Sequence, residues 1–134
     1  MPNTEQTFCT SFADKAEFDG GLRGYFEYRD LGINEATKGK FHAAISRVKS
    51  GHDGDLDIRT TGMHRHLCDF QMFYVLKGWV TMFYENEGEM TFRPGDCCMQ
   101  PASIVHNEIQ CSSDFECLEL YSPAMHDTVV VDEA

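Results

Sequence analysis

Two stretches decide the fold: GMHRHLCDFQMFYVLKG at residues 62–78 and GDCCMQPASIVHNEIQ at residues 95–110. The first contains Phe70, Phe73, Tyr74 and Val75, and the second contains Ile104, Val105 and Ile109. Glycine or proline bounds or interrupts both, as is typical of short strands separated by turns. His64 and His66 are two residues apart, so on a strand their imidazoles project from the same face. The pair could converge on one metal ion, although this spacing alone is weak evidence for a site.

The sequence on either side of these stretches has the same character. Residues 23–30 and 40–49 predict strands joined by a loop at 30–39, and the glycines and aspartates of 50–62 predict a long surface loop. Lys77-Gly78 predicts the turn of a β-hairpin. Four further runs each predict one strand: EMTFRPGD, CCMQP, IVHNEIQ and FECLELYSP. Because long helical periodicity is absent, the expected fold is an all-β sandwich or barrel.

The spacing around the histidine pair resembles the first motif of the cupin superfamily. That motif is HxH, three or four residues, Glu, six residues and Gly. Here the sequence reads His64-Arg65-His66, LCDF, Gln71, MFYVLK and Gly78. Gln therefore stands where the motif has Glu, and Ile58 stands where the motif opens with Gly.

The second stretch resembles the second cupin motif, which is Gly, five residues, Pro, x, Gly, two residues, His, three residues and Asn. Here it reads Gly95, DCCMQ, Pro101, Ala102, Ser103, IV, His106, NEI and Gln110. The spacing holds throughout, while Ser103 replaces Gly and Gln110 replaces Asn. The resemblance covers roughly residues 40–122, and the joint spacing of the two motifs is far more specific than either alone.

The resemblance implies an antiparallel double-stranded β-helix, the jelly-roll barrel of the cupins, with little helix. It implies one domain over residues 1–134, with the barrel at about 40–122, an N-terminal strand extension at 1–39 and a C-terminal tail at 123–134. It also implies one divalent transition metal inside the barrel, held by His64, His66, Gln71 and His106. Three imidazoles and an amide oxygen suit Zn, Fe, Mn or Ni, so the identity of the metal stays open.

Gln71 indicates the type of reaction. An amide in place of a carboxylate removes a negative charge from the ligands, so the ion polarises substrate oxygens more strongly. This favours isomerase, lyase or hydrolase chemistry on a small polar or acidic metabolite, and cupins with Gln here include enzymes that isomerise or cyclise small oxygenated compounds. An iron-dependent dioxygenase is one alternative, and a non-catalytic cupin that binds a small ligand is another.

Strand alternation supplies candidates for proton transfer and substrate binding. If His106 points inward, Glu108 and Gln110 share its face. Glu119 lies between apolar neighbours and is the preferred general base, ahead of Glu108. We expect three further residues to bind substrate: Arg47 through an anionic group, and Phe73 and Val75 because they share the parity of Gln71. His42, on the opposite parity from Arg47, is expected to face outside, and Cys68 to pack rather than ligate.

Composition limits the partners. The 134 residues carry 11 Lys and Arg against 22 Asp and Glu, a formal charge of −11, which argues against nucleic-acid or membrane partners. The amino terminus resembles no secretory signal, and no apolar run approaches the roughly 18 residues of a membrane span, so a cytoplasmic location is expected. Six cysteines without a CxxC pair are expected to be reduced thiols. We also expect a homodimer that covers the face of Leu118 and Leu120, and the terminal VVVDEA either pairs as an edge strand or extends freely.

Overall fold

The structure is a computed structural model that describes residues 5–20, 24–59 and 62–131. Strands dominate it, and every strand pairing is antiparallel. In chain order the strands are β1 (Phe26–Asp30), β2 (His42–Val48), β3 (Leu56–Asp57), β4 (His64–His66), β5 (Phe70–Lys77), β6 (Val80–Tyr84), β7 (Gly88–Phe92), β8 (Cys97–Met99), β9 (His106–Cys111), β10 (Glu116–Ser122) and β11 (Thr128–Val130). The helical elements whose bounds lie within the described residues are short: a 3₁₀ turn at Ala13–Lys15 and one turn of α-helix, α1, at Ile33–Ala36.

The strands form two facing sheets. One sheet has the order β1-β2-β10-β5-β8, and the other has the order β11-β4-β9-β6-β7, with β3 paired to β9. Neighbours within a sheet are mostly distant in the sequence, as in a jelly roll, where the chain alternates between two layers. The expected all-β jelly-roll barrel with little helix is confirmed.

The core lies between the sheets, where alternate residues of each strand point inward. Its largest fully buried side chains are Ile58, Val75 and Cys111, each 0% exposed. Phe26, Phe73, Phe92 and Phe115 fill the space around them, with edge-to-face contacts between Phe26 and Phe115 and between Phe73 and Phe92. These packed rings hold the two sheets together.

The predicted hairpin at Lys77-Gly78 is wrong. β5 pairs with β10 and β8, whereas β6 pairs with β7 and β9, so this turn carries the chain from one sheet to the other. Gly78 has a φ of 66°, and a Cβ there would come within 2.9 Å of the Cα of Phe115. Glycine is therefore needed for a close crossing between layers, a role that composition alone cannot distinguish from a hairpin turn.

Two predicted loops differ in detail from expectation, and the described part of the C-terminal run takes the edge-strand form, one of the two that were expected. The 30–39 loop contains α1, and the 50–62 loop contains β3, which pairs with β9. Near the C-terminus, Thr128–Val130 pair with β4, while residues 132–134 of the terminal run lie outside the described residues. In the described ranges, none of the helices has the length and apolar character needed to cross a membrane.

Candidate metal centre

Three histidines meet on the inner face of one sheet. His64 on β4 is directly opposite His106 on β9, and His66 follows two residues along β4 on the same face. Their ring centroids are 4.3 Å apart for His64 and His106, 5.0 Å for His64 and His66, and 5.1 Å for His66 and His106. One ring nitrogen from each lies within 4.8 Å of the others, so the three imidazoles can converge on a single ion.

The Nδ1 atoms of the buried pair are held by backbone carbonyls. His64 Nδ1 is 2.8 Å from the Gly62 carbonyl oxygen, and His106 Nδ1 is 3.0 Å from that of Ile104. Because a carbonyl only accepts, each Nδ1 carries the proton and each Nε2 keeps its lone pair.

The surroundings of His64 fit a metal ion. His64 and His106 are each 2% exposed, and His64 Nε2 is buried with no hydrogen-bond partner. An orphaned nitrogen of this kind is unfavourable unless something coordinates it, because its desolvation is uncompensated. The residues present therefore fit a divalent transition metal, and His64, His66 and His106 would hold it.

The turn before β9 shapes the approach to His106. Ser103 adopts a φ of 67°, at the position where the second motif has Gly. A left-handed conformation costs a residue with a Cβ about 1 kcal/mol, and the fold retains it here without glycine. The Ser103 amide donates to the His66 carbonyl at 3.2 Å, which ties this turn to the strand of the histidine pair.

Gln71 belongs to the opposite sheet, on β5, and faces the same interior. It lines a cavity together with His66 and His106. Its Oε1 lies 3.9 Å from the Sγ of Cys68, a distance at which the thiol is a weak donor. Cys68 is buried, and burial raises the pKa of its thiol, so the neutral form that can donate is favoured.

Two neighbouring cavities lie beside the histidines: His66 lines both of them, and His106 lines the inner one. A small inner cavity of about 60 Å³ lies deeper in the barrel, and an outer cavity of about 670 Å³ opens toward the surface. The residues common to both walls are Tyr28, His66, Gln71, Glu108 and Glu119. These shared residues, which include His66, Gln71 and two carboxylates, line the passage where the two cavities meet.

The structure places Glu119 and Glu108 on opposite walls of this passage. Glu119 lies on β10 between Ala44 of β2 and Phe73 of β5, so its strand neighbours are apolar. Glu108 lies on β9, two residues after His106. The negative charges of both carboxylates raise the pKa of the Cys117 thiol, whose burial is the larger cause.

The three side chains expected to contact substrate have different positions. Phe73 lines the inner cavity, whereas Val75, which is fully buried, belongs to the packed core and lines neither cavity described here. Arg47 projects from the other face of β2: its Nε donates to Glu27 Oε1 at 2.7 Å, and its guanidinium lies 3.4 Å from the centroid of Phe18. Among the described residues Arg47 lines neither cavity, because strand alternation directs Ala44 and Ser46 inward instead.

Two further expectations about orientation are wrong. Gln110 is exposed rather than inward, because the pairing of β6 with β9 shifts register between Thr81 and Met82 and reverses the alternation after Glu108. His42 lines the outer cavity rather than facing outside, and its ring lies 4.8 Å from that of Tyr121. In both cases the position in the sheet, rather than the local pattern, decides which way the side chain points.

Three cavity residues were missed by the sequence analysis. Tyr121, His126 and Thr128 all line the outer cavity. Burial, together with the charges of Glu119 and Asp30, raises the pKa of Tyr121 to about 12. The His126 ring packs edge-on against both Tyr121 and His66, at 5.0 and 5.6 Å. Tyr121 was on the parity already assigned to Glu119, but His126 and Thr128 reach the site only through the pairing of β11 with β4.

Comparisons with known proteins support the fold. No protein-family model and no curated protein matches the sequence. Among solved structures, the chain is similar to an RmlC-like cupin from Shewanella frigidimarina, at 20% identity and a TM-score of 0.61, covering 90% of this chain and 96% of the other. It is also similar to the polyketide cyclase RemF from Streptomyces resistomycificus, at 14% identity and a TM-score of 0.66, covering 96% and 88%.

A third similar structure is a sugar phosphate isomerase of the cupin superfamily from Silicibacter pomeroyi, at 18% identity and a TM-score of 0.63, covering 90% of this chain and 80% of the other. The chain thus has the fold of a small cupin, as its two motifs indicated. Similar structures include enzymes, and the three histidines could bind a metal. At these identities, likeness establishes the fold and leaves the reaction to be argued from the site.

Proposed function

We propose that this protein is a metal-dependent cupin enzyme that acts on a small polar metabolite by isomerase, lyase or hydrolase chemistry. The observation that carries the proposal is the buried, unpartnered Nε2 of His64 beside His66 and His106, of which His66 also lines a cavity with carboxylate walls. A divalent metal on these histidines, with Gln71 as a further ligand, would supply Lewis acidity to substrate oxygens. The proposed metal is Zn, Fe, Mn or Ni, since each of these ions accepts imidazole ligands.

The cavity walls favour one part of the expected substrate class. Asp19, Asp30, Glu108 and Glu119 all line the outer cavity. Asp30, Ala44 and Glu119 are neighbours on three adjacent strands. The Cα atoms of Asp30 and Glu119 are therefore about 10 Å apart, and only the methyl group of Ala44 lies between the two side chains. These carboxylates would repel an anionic group at the outer end of the substrate. We therefore favour a hydroxyl-rich or cationic outer end, with oxygen atoms directed toward the histidines.

Glu119 is proposed to move the proton. Its position between Ala44 and Phe73 gives the carboxylate a partly apolar setting on the passage to the histidines. Such a setting strengthens a carboxylate as a base, because desolvation disfavours its charged form. Glu108, on the facing wall, is proposed as the partner acid or as a ligand for substrate hydroxyls. Phe73 would exclude water from the inner cavity.

Substitution of Glu119 tests this assignment. We expect Glu119→Gln to bind metal as the wild type does and to lose at least about 100-fold in turnover, because the general base is removed. The measurement is proton exchange in D₂O, followed by NMR, across a panel of aldoses, ketoses, uronates and hydroxy acids with wild-type protein loaded in turn with Zn²⁺, Mn²⁺, Ni²⁺ or Fe²⁺. Oxygen uptake with Fe²⁺ is recorded in parallel.

The matched control is Glu116→Gln on the same strand, whose side chain is on the opposite parity from the cavity residues Cys117 and Glu119. It should keep wild-type turnover. Full turnover by Glu119→Gln would exclude Glu119 as the base. Oxygen uptake without proton exchange would favour the iron-dependent dioxygenase. Binding of a panel compound without proton exchange or oxygen uptake would favour the non-catalytic cupin that binds a small ligand.

A homodimer is also proposed, through the outer face of the five-stranded sheet. Leu118 and Leu120 point away from the cavity there and are half-buried, and Tyr74, Leu76 and Met99 of the same sheet are exposed. A second copy covering this face would remove the apolar side chains from water.

A further inference from the structure

The three histidines are held in two different ways. His64 and His106 are each fixed by a carbonyl two residues earlier in their own segment, at Gly62 and Ile104. His66 is held by a residue 62 positions away, because its Nδ1 lies 2.8 Å from the Oγ1 of Thr128 on β11. The first two anchors form with the strands themselves, whereas the third requires a separate element to be in place.

The C-terminal segment makes several contacts with this part of the site. β11 pairs with β4 so that Thr128 is directly opposite His66. The Leu67 amide donates to the Asp127 carbonyl at 2.9 Å, and the Val131 amide donates to the Met63 carbonyl at the same distance. His126 packs edge-on against the His66 ring, and Ala124, Met125 and Thr128 complete that wall of the outer cavity. One segment therefore both encloses the cavity and holds a proposed ligand.

The hydroxyl anchor differs chemically from the two carbonyls. A carbonyl fixes the imidazole tautomer because it only accepts, whereas a hydroxyl both donates and accepts. With Thr128 Oγ1 accepting from Nδ1–H, the Nε2 of His66 keeps the lone pair that a metal needs. With the hydroxyl donating instead, the neutral ring carries its proton on Nε2 and cannot coordinate. The orientation and tautomer of His66 thus depend on Thr128.

We propose that Thr128 is a positioning residue for the metal ligand His66, and that docking of the C-terminal strand completes the metal centre. This inference rests on the proposed function, because it takes the three histidines to be ligands. Thr128 does not coordinate the ion in this account. It holds the His66 ring in the orientation and tautomer that coordination requires, so that removing its hydroxyl weakens metal binding while the strand stays in place.

The test is the Zn²⁺ affinity of three variants, measured by competition with a chromophoric chelator. Thr128→Val keeps the shape of the side chain and removes the hydroxyl, and we expect it to weaken Zn²⁺ binding by about 10-fold to 100-fold. Thr128→Ser keeps the hydroxyl and should stay within about threefold of the wild type. Val130→Ala, at an exposed position of the same strand, is the matched control and should bind as the wild type does.

Two further readouts separate positioning from a general loss of structure. Amide hydrogen exchange at Leu67 and Val131 reports whether the strand remains docked in Thr128→Val, and long-range ¹H–¹⁵N NMR of the metal-free protein reports the His66 tautomer. We expect protected amides and a changed tautomer population. Unchanged Zn²⁺ affinity in Thr128→Val would overturn the inference. So would a loss of Zn²⁺ affinity accompanied by a loss of amide protection, because the strand would then no longer be docked. Failure of the wild-type protein itself to bind Zn²⁺, Mn²⁺, Ni²⁺ or Fe²⁺ would instead overturn the proposed function.

Discussion

The two ends of the barrel differ although the same strands build both. Along the inward face of β10 the residues change from Tyr121 through Glu119 to Cys117, and along β5 they change from Gln71 through Phe73 to Val75. At one end these side chains line an open cavity, and at the other they belong to a core whose largest members are 0% exposed. Each strand is thus polar at the cavity end and apolar at the packed end.

This gradient separates stability from chemistry. The packed end buries apolar surface, the dominant favourable contribution to folding, and needs no ligand to be satisfied. The cavity end leaves His64 Nε2 without a partner and brings carboxylates together, both of which are unfavourable in the protein alone. The arrangement is typical of proteins that tolerate local strain at a site because the rest of the fold is well packed. Substitutions at the two ends should therefore have different consequences.

The largest expected effect on stability is at the packed end. Val75→Ala removes two buried methyl groups from a fully enclosed position, and we expect a loss of about 2–3 kcal/mol in the free energy of unfolding. Urea denaturation of the metal-free protein measures this loss. Val130→Ala, the same chemical change at a position of β11 that is 72% exposed, is the control and should change stability by less than about 1 kcal/mol. A Val75→Ala protein of wild-type stability with altered metal binding would break the proposed separation.

At alkaline pH we expect an effect on stability that is smaller per pH unit. Burial raises the pKa of the Cys111 thiol to about 12, above its unfolded value, so between roughly pH 9 and pH 12 the unfolded chain releases a proton that the folded chain keeps. The contribution of Cys111 to the free energy of unfolding is therefore complete below about pH 9. Above that pH it falls by up to about 1.4 kcal/mol per pH unit. Urea denaturation between pH 8 and pH 11 should show a shallower decline for Cys111→Ala.

The control for that series is Cys97→Ala at an exposed position of β8, which should keep the wild-type slope. Equal slopes for Cys111→Ala and the wild type would mean that Cys111 does not remain buried and protonated in solution. Cys117, whose pKa is raised by burial and by Glu119, and Tyr84, whose pKa is raised by burial, contribute to the remaining decline in the same direction.

Local pattern and spacing were enough to predict the fold and the centre of the site. The two-residue spacing of His64 and His66 fixes their common face. The resemblance to both cupin motifs implied that His106 joins them. Alternation from His106 and from Gln71 predicted that Glu108 and Phe73 share their faces, and both side chains line the inner cavity. For the strand of Glu119, alternation left open which face is interior, and the structure turns Glu119 toward the cavities. These features depend on neighbours within one strand or on a motif of fixed length.

Features that depend on distant pairing could not be predicted in this way. The turn at Lys77-Gly78 has the composition of a hairpin but joins two sheets, and the bulge in β9 turns Gln110 outward. Arg47 is held by Phe18 and Glu27 on the outer side of β2. Thr128 and His126 approach His66 only because the C-terminal strand pairs with β4. Sheet order and register set these positions, and neither can be predicted from one segment of the sequence, because both depend on which distant strands pair.

The most direct test of the account is the metal content of wild-type protein and His64→Ala, each loaded with Zn²⁺, dialysed and analysed by mass spectrometry. We expect about one Zn²⁺ per wild-type chain and almost none in His64→Ala, because the variant lacks the imidazole whose Nε2 is buried without a partner. The metal-free variant should also remain folded, since the packed end is untouched. Equal metal content in the two proteins would contradict the claim that these histidines form a metal centre.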